Sequence, residues 1–326
     1  MKFSIITPSL NQGLYLEQTI DSVLSQGVDV EYVVVDGGSK DNSIEIIKKY
    51  EKYLAYWISE PDGGQSNAIN KGIKRATGNI INWLNSDDYL QPNALRNIRE
   101  HFLNPNTDVV AGRSNIVTES KIVRQSNGTD LYEENLPKTI GQARIDQPET
   151  FYRKTIFDKL GPLNEQLHFV MDKEFWIRYL IAEGLNRVTK ISDILANFRL
   201  HADSKTVSKP TNFWKEENAI LYQIATTNNL DHLAHVISQS LPMAIIHKPA
   251  KYLIRSQDLA QQTLDYFLLY RADEYYYQNE HSRCTSLLSA ITPQSLKKED
   301  LELYKRLCFR SAFVPVFLKN LLRRWK

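Results

Sequence analysis

The sequence predicts an α/β fold: a mixed, mostly parallel sheet of Rossmann-like type flanked by helices, followed by a helical C-terminal extension. Three features lead there. Short β-branched runs alternate with helix-periodic segments through the first part of the chain. Each of those runs closes on polar or acidic residues. After Lys209 the strand signals cease, and Tyr, Leu and Gln recur in helical patterns.

Residues 3–7 form an apolar run stopped at Pro8, the mark of a buried strand. Over 14–24, Leu16, Ile20, Val23 and Leu24 fall on one helical face. Residues 32–35 are a second strand run, stopped by Asp36-Gly37-Gly38. Asp41 or Asn42 is placed to cap a helix through Ile44, Ile47 and Tyr50. Residues 56–58 read as a third strand, and a helix over about 66–76 ends at Gly78. Residues 80–84 are a fourth strand that runs straight into Asp87-Asp88. From 104 to about 201, short strands at 109–112, 121–123 and 194–200 mix with loops and a helix over 172–181. A boundary near Ser208-Lys209-Pro210 divides the chain into 1–208 and a helical 209–326. Residues 260–291 have the pattern of one helical hairpin of the repeat type.

Composition sets further bounds. With 42% hydrophobic and 24% charged residues in 326, the chain has globular composition. A formal charge of +2 gives no footprint for nucleic acid. Cys284 and Cys308 allow one bridge at most and no Cys-x-x-Cys metal spacing, which fits a reducing cytosol. The opening residues lack the pattern of a signal peptide. No apolar run approaches the roughly 18 residues of a membrane span. A cytoplasmic protein, soluble or peripheral to the inner face of the plasma membrane, is expected.

In a parallel sheet, ligands bind beyond the carboxyl ends of the strands. Here those ends carry Ser9 and Asn11, then Asp36 and Ser39, then Asp62 and Gln65, then Asn85, Asp87 and Asp88. Such a row suits a hydroxyl-rich ligand and a hard cation, Mg²⁺ or Mn²⁺, on carboxylate oxygens. A capped turn before a helix at Asn93 would use Asp87-Asp88 as well.

The order of motifs carries more information than any one of them. Ser4-Ile5-Ile6-Thr7-Pro8-Ser9-Leu10-Asn11-Gln12, VVVDGGSKDNS at 33–43, DGGQSNAINKGIKRATGNIINWLNSDD at 62–88 and DQPETFYRKTIFDKLGPLNEQLHFVMDKEFWIRYL at 146–180 together resemble family 2 glycosyltransferases of the bacterial surface-polysaccharide type. The resemblance implies a GT-A fold and an inverting displacement from a nucleotide-sugar, UDP-linked, onto a saccharide or lipid-linked saccharide. It implies that Asp87 holds the metal, with His201 of Arg199-Leu200-His201 completing the shell or touching the diphosphate. Pro8, Ser9, Asn11, Asp36, Asp62, Gln65, Asn85 and Asp88 fall on the donor side, and Asn85 stands where many relatives have an acid. Asp36 is followed by Gly37 where many relatives have a second acid. Gly37, Gly38, Gly63 and Gly64 serve turn chemistry or nucleoside contact. Gln147 and Glu149 fall on the segment that faces the acceptor in this family.

An acceptor hydroxyl needs a base to take its proton as it attacks. Asp172 is the expected base and Glu174 the second candidate; Asp172 is also placed to cap the helix behind it. Trp57, Trp83 and Trp176 are expected in the core. After Glu302 there is no acid, and basic residues beside Phe313, Val314, Phe317, Leu318, Leu321, Leu322 and Trp325 suggest an interfacial helix on an anionic membrane, or a packed helix with a basic outer face.

Other classes fit less well. A dinucleotide oxidoreductase needs Gly-x-Gly-x-x-Gly after the first strand, where this chain has Pro8-Ser9-Leu10-Asn11-Gln12. A nucleotidyltransferase or P-loop protein lacks its glycine-rich phosphate loop. An inactive sugar-binding or scaffolding relative is the alternative from another class, and Asp87, Asp88 and Asp172 argue against it.

Overall fold

Four parallel strands open the chain: β1 (Phe3–Ser9), β2 (Val30–Asp36), β3 (Tyr56–Ser59) and β4 (Ile80–Trp83), ordered β3-β2-β1-β4. They belong to a computed structural model that describes residues 1–119, 121–142 and 144–313. Between the strands run α1 (Leu16–Leu24), α2 (Ser43–Tyr50) and α3 (Gln65–Arg75). The sheet continues from β4 through β8 (Thr150–Arg153), β6 (Val109–Thr118) and β9 (Val188–Arg199) to β5 (Tyr89–Leu90), while β7 (Lys121–Gln125) pairs with β6. Beyond β4 the pairing is mixed: β8 is antiparallel to β4 and β6, β9 parallel to β6, and β5 antiparallel to β9. The expected mostly parallel sheet is thus parallel in its first half and mixed in its second. Helices α4 (Ala94–His101), α5 (Leu136–Gln142), α6 (Lys154–Leu160), α7 (Met171–Glu183) and α8 (Lys205–Ser208) fill the connections.

The chain divides into two units by packing. The first comprises Met1–Leu131 and Arg144–Pro210. The second takes the segment from Tyr132 that carries α5, and the chain from Thr211 on. It is helical: α9 (Pro210–Thr227), α10 (Asp231–Ser240), α11 (Gln257–Tyr277), α12 (His281–Ala290) and α13 (Lys298–Phe313). Two long–short helix pairs repeat the same turn, with Asn229 at φ 57° and Asn279 at φ 68° each ending the long helix. Asparagine tolerates that left-handed conformation better than most residues. No described helix is long and apolar enough to cross a membrane. The basic tail read from Phe313, Val314, Phe317, Leu318, Leu321, Leu322 and Trp325 lies outside the described side chains.

The core of the first unit joins both halves of the sheet. Phe3, Ile5, Leu16, Ile20, Val34, Ile80, Phe151 and Leu195 all belong to it. Trp83 and Trp176 are buried as expected, and Trp57 is half-buried with Nε1 donating to Glu51. Gly72 of α3 lies directly on β1: a Cβ there would clash with Ile6 Cγ2. β1 also runs on through Pro8, where the sequence suggested a stop. Ile6 O accepts from Leu84 N (2.8 Å), so alternate residues of β1 face β4, and Ser9 O accepts from Gly37 N (2.8 Å) on the other side. Pro8, on the β4 side, comes after β4 has ended, so its missing N–H leaves no carbonyl unpaired.

Candidate active site

The ends of the parallel strands meet in one row. Ser9 pairs with Asp36, and Asp36 with Ser59. Loops 9–13 and 36–43 are laced together by hydrogen bonds. Asn11, in left-handed conformation (φ 54°), donates its N–H to Ser39 Oγ (2.7 Å) and accepts at Oδ1 from Lys40 N (2.8 Å). Gly13 N donates to Asp41 Oδ2 (2.9 Å). Asp41 also receives Ser43 N at 3.0 Å, whereas Asn42, the other expected cap, makes no side-chain cap bond.

Asp36 departs from expectation. It is fully buried, and its carboxylate accepts from Gly38 N (3.0 Å), Ser39 N (2.8 Å), Ser59 Oγ (2.7 Å) and Ser39 Oγ. A carboxylate already holding these donors has none of its oxygens turned to a base or ribose, so Asp36 shapes the loop instead. The turn needs Gly38, at φ 83°. Asp62 lies over Gly37. A Cβ on Gly37 would be 2.9 Å from Asp62 Oδ2, and Asp62 Oδ1 accepts from Gly64 N (2.8 Å). Gly64 (φ 105°) then starts α3. Pro8 and Ser9 lie buried beneath this rim, with Ser9 Oγ unpartnered among the described residues.

The acidic turn follows β4 and is bound into the site from three sides. Thr19 Oγ1 of α1 donates to the carbonyls of Ser86 (2.9 Å) and Asp88 (2.6 Å). Gln65 Nε2, in the first turn of α3, donates to Asn85 Oδ1 (2.7 Å), and Asn85 Nδ2 approaches Asp88 Oδ2 at 3.4 Å. Arg199 N, at the end of β9, donates to Asp88 Oδ1 (2.9 Å). Asp88 is 1% exposed, and burial, together with the charge of Asp87, pushes its carboxyl well above the usual range. Its carboxylate is therefore a clamp on β9 rather than an open ligand.

Asp87 points the other way. It is half-buried, and its Oδ2 lies 3.0 Å from His201 Nε2. The His201 ring stands 4.8 Å from Tyr15. A carboxylate and an imidazole are both fit ligands for Mn²⁺, and Mg²⁺ usually takes one or two protein ligands beside phosphate and water. No cluster of three or more His, Cys, Asp or Glu side chains suited to a metal exists among the described residues, and Asp87 and His201 offer two donor groups.

Asp172 stands in the first turn of α7, half-buried. It is not the helix cap: Val170 is, with no side-chain cap bond. Burial pushes its carboxyl up to about 6, against the Lys173 N–H and the charges of Lys173 and Lys205. Lys205 Nζ donates to Gln65 Oε1 and to the His168 carbonyl, both at 2.7 Å. Asp172 is thereby tied electrostatically to the Gln65–Asn85 bridge and the acidic turn. Glu174, the second base candidate, is excluded: it is 1% exposed and bound at both oxygens by Arg178 (2.9 and 3.0 Å).

The segment before β8 is also turned inward. Gln147 donates to the Trp83 carbonyl, and Glu149 is fully buried, accepting from Ser114 and Ser126 hydroxyls. Burial, with Asp146 nearby, pushes Glu149 up to about 8. An acceptor contact by either side chain is not what this packing provides.

Two contributors escaped the sequence reading. Lys205 sits in a polar run that reads as a solvated loop, and nothing local marks it. Thr19 had a signal: a hydroxyl on the apolar face of α1, between Leu16 and Ile20, which is fully buried.

Residues 4–161 match the family described as Glycosyl transferase family 2. An uncharacterized glycosyltransferase of Nostoc sp. is 27% identical over 273 residues, covering 79% of this chain and 84% of that protein. The hyaluronan synthase of Pasteurella multocida is 27% identical over 211 residues, which are 63% of this chain and 21% of the synthase. Among solved structures, S. aureus TarS 1–349 in complex with UDP matches with a TM-score of 0.58 at 18% identity, covering 100% of this chain and 92% of that one.

Proposed function

This chain is a nucleotide-sugar-dependent glycosyltransferase of family 2 with a GT-A fold, and from that premise we propose that it transfers a sugar, with inversion, to a hydroxyl of a saccharide or lipid-linked saccharide in surface polysaccharide assembly. The observation that carries the reading is Asp172: a half-buried carboxyl raised to about 6, under the charge of Lys205, which is itself bonded to Gln65 and through it to Asn85. A base works best when its pKa lies near the working pH.

Asp172 accepts the proton of the acceptor hydroxyl as that oxygen bonds to the anomeric carbon. The bond from that carbon to the diphosphate oxygen breaks on the opposite face, and the nucleoside diphosphate leaves. Asp87 and His201 would hold Mg²⁺ or Mn²⁺, which when bound supplies positive charge for the departing diphosphate. Asp62, Asn11 and the backbone of loops 9–13 and 36–39 line the donor side, while Asp36 and Asp88 keep those loops in place. UDP is the carrier to try first, since the fold is shared with TarS, whose solved structures hold UDP and UDP-GlcNAc. Similarity to a hyaluronan synthase supports a polysaccharide context. Action in the cytoplasm at the inner membrane face follows if the acceptor is lipid-linked.

The test is Asp172→Asn. Transfer is expected to fall by about 10²–10⁴-fold, the usual contribution of a general base. Binding of the nucleotide-sugar, measured by calorimetry, should stay within about twofold, because only transition-state stabilisation is removed. Undiminished transfer in this variant rules out Asp172 as the base.

A further inference from the structure

The first unit has a second concavity, of about 1030 Å³, that none of Gln65, Asp87, Asp172 or His201 lines. Its walls come from α1, the end of α2 and the turn after it, β5, and the middle of β6 and β9. Three tyrosines, Tyr50, Tyr53 and Tyr89, share it with four amides, Gln18, Gln91, Asn115 and Asn197. Three of the amides form a row: Gln91 Nε2 (2.7 Å) and Asn115 Nδ2 (3.1 Å) both donate to Asn197 Oδ1.

The row is incomplete at one atom. Asn115 is 5% exposed, and its Oδ1 accepts from no group of the described residues. A buried amide carbonyl calls for a donor, and a ligand hydroxyl supplies one once a small side-chain shift uncovers the atom, which is closed to solvent here. Aromatic faces beside aligned amides match the chemistry of a sugar ring. The ring's C–H face packs on tyrosine, and its hydroxyls both donate to and accept from amides. Apart from the tyrosine hydroxyls, the groove's one ionisable lining side chain is that of Asp21, and Lys49, Lys52 and Arg199 lie against the rings of Tyr50, Tyr53 and Tyr89, so the wall carries charge of both signs and selects on ring faces and hydroxyls rather than on net charge. The volume matches a ligand of a few rings, since pockets for drug-sized molecules span roughly 300–1,000 Å³.

We infer that this groove binds an oligosaccharide, outside the reaction cleft. Arg199 is the partition between the two. Its guanidinium lies over the rings of Tyr89 (5.2 Å) and Tyr15 (4.5 Å) and donates to Gln18 of the groove wall, while its N–H holds Asp88. A glycan in the groove rests one side-chain layer from the acidic turn, where a growing chain can be held while its end is extended. The binding site itself does not depend on the proposed reaction, and Asp172→Asn should leave it intact.

The test titrates the full chain with cellotriose, mannotriose and chitotriose by saturation-transfer NMR and calorimetry, with UDP and Mn²⁺ absent and present. At least one should bind, weakened about fivefold or more by Tyr53→Ala, the loss typical of a contact that matters. Tyr53 is 57% exposed, so its removal spares folding, and Gln91→Ala gives a second variant from the amide row. UDP should not displace the sugar. Absence of binding by all three up to about 10 mM, beyond the roughly 1 mM of weak specific association, overturns the inference. So does binding that UDP displaces, or that both variants retain unchanged.

Discussion

The two ends of the parallel strands treat carboxylates in opposite ways. At the amino ends, Glu31 accepts from Thr77 N (2.6 Å), Thr77 Oγ1 (2.7 Å), Ser4 Oγ and the Lys2 ammonium (3.1 Å). Burial alone would raise its pKa, but these donors outweigh it and bring the carboxyl down to about 2. At the carboxyl ends, burial prevails. Asp88 is pushed well up, Asp172 to about 6, and Glu149, beside the end of β4, to about 8. Burial is common to both ends, so the donors make the difference. Glu31 has an ammonium beside its backbone and hydroxyl donors, whereas Glu149 has a backbone N–H, two serine hydroxyls and the neighbouring charge of Asp146. Carboxylates at the first end hold the fold together. Of the three raised carboxyls at the second, Asp88 and Glu149 are sealed in, and Asp172 alone is half-buried, the state expected of a group that meets a ligand.

Asp87→Ala should have the largest consequence for that contrast. Affinity for UDP with Mn²⁺ is expected to fall about 10²-fold, at the upper end of what loss of support to a metal site costs. The melting temperature should hold or rise, because the charge that destabilises buried Asp88 is gone. Calorimetry with Mn²⁺ and with chelator, beside thermal melts, reads both. A variant that melts lower while binding UDP normally would make Asp87 a structural residue like Glu31.

Next in size is the stability of two paired variants. Glu31→Gln should destabilise by about 1–3 kcal/mol at neutral pH, the range for charge-assisted hydrogen bonds to a buried group. Its folded pKa, about 2, lies below the ordinary 4.5, so its contribution is present above 4.5 and lost as pH falls toward 2. Glu149 has the opposite sign. With a folded pKa of about 8, its contribution is full below 4.5 and lost as pH rises through 8. Glu149→Gln should therefore remove part of the alkaline decline in stability, and Glu31→Gln part of the acid decline. Urea melts from pH 3 to 9 decide; declines that match wild type in both variants would show that neither carboxyl is linked to folding as argued.

How far the sequence revealed this depends on the distance each signal spans. The parallel half was readable because strand, turn and helix lie within thirty-odd residues, and the polar residues follow directly in the chain. The order of strand ends alone places Gln65, Asn85 and Asp87 at one edge of the sheet. The direction a carboxylate faces was not readable. Asp36, Asp87 and Asp88 are the same residue after similar strands, yet Asp36 and Asp88 turn inward because Ser39, Ser59 and Arg199 N meet them there. Those partners come from other loops, and Arg199 is 111 residues from Asp88. The second half was harder still. Its strands return to the sheet out of order, with β9 beside β6 and β5 at the edge, which periodicity does not encode.

Lys205 is where that limit matters most, and its removal should give the smallest effect but the most specific one. Its charge lowers the Asp172 pKa, while the ammonium is held by Gln65 and the His168 carbonyl. Asp172 acts as a base only when deprotonated, so kcat/KM should fall as pH drops through about 6. In Lys205→Met the charge is gone and the acid limb should move to higher pH. Activity should be lost at pH 6 and largely recovered well above it. A lysine that merely braces the loop would instead lower kcat/KM equally at all pH values. If Lys205 chiefly met the donor diphosphate, KM would rise across the range with the limb unmoved. A pH profile of Lys205→Met beside wild type separates the three. An unmoved limb would detach Lys205 from the base and leave the low end of the Asp172 titration to burial and Lys173 alone.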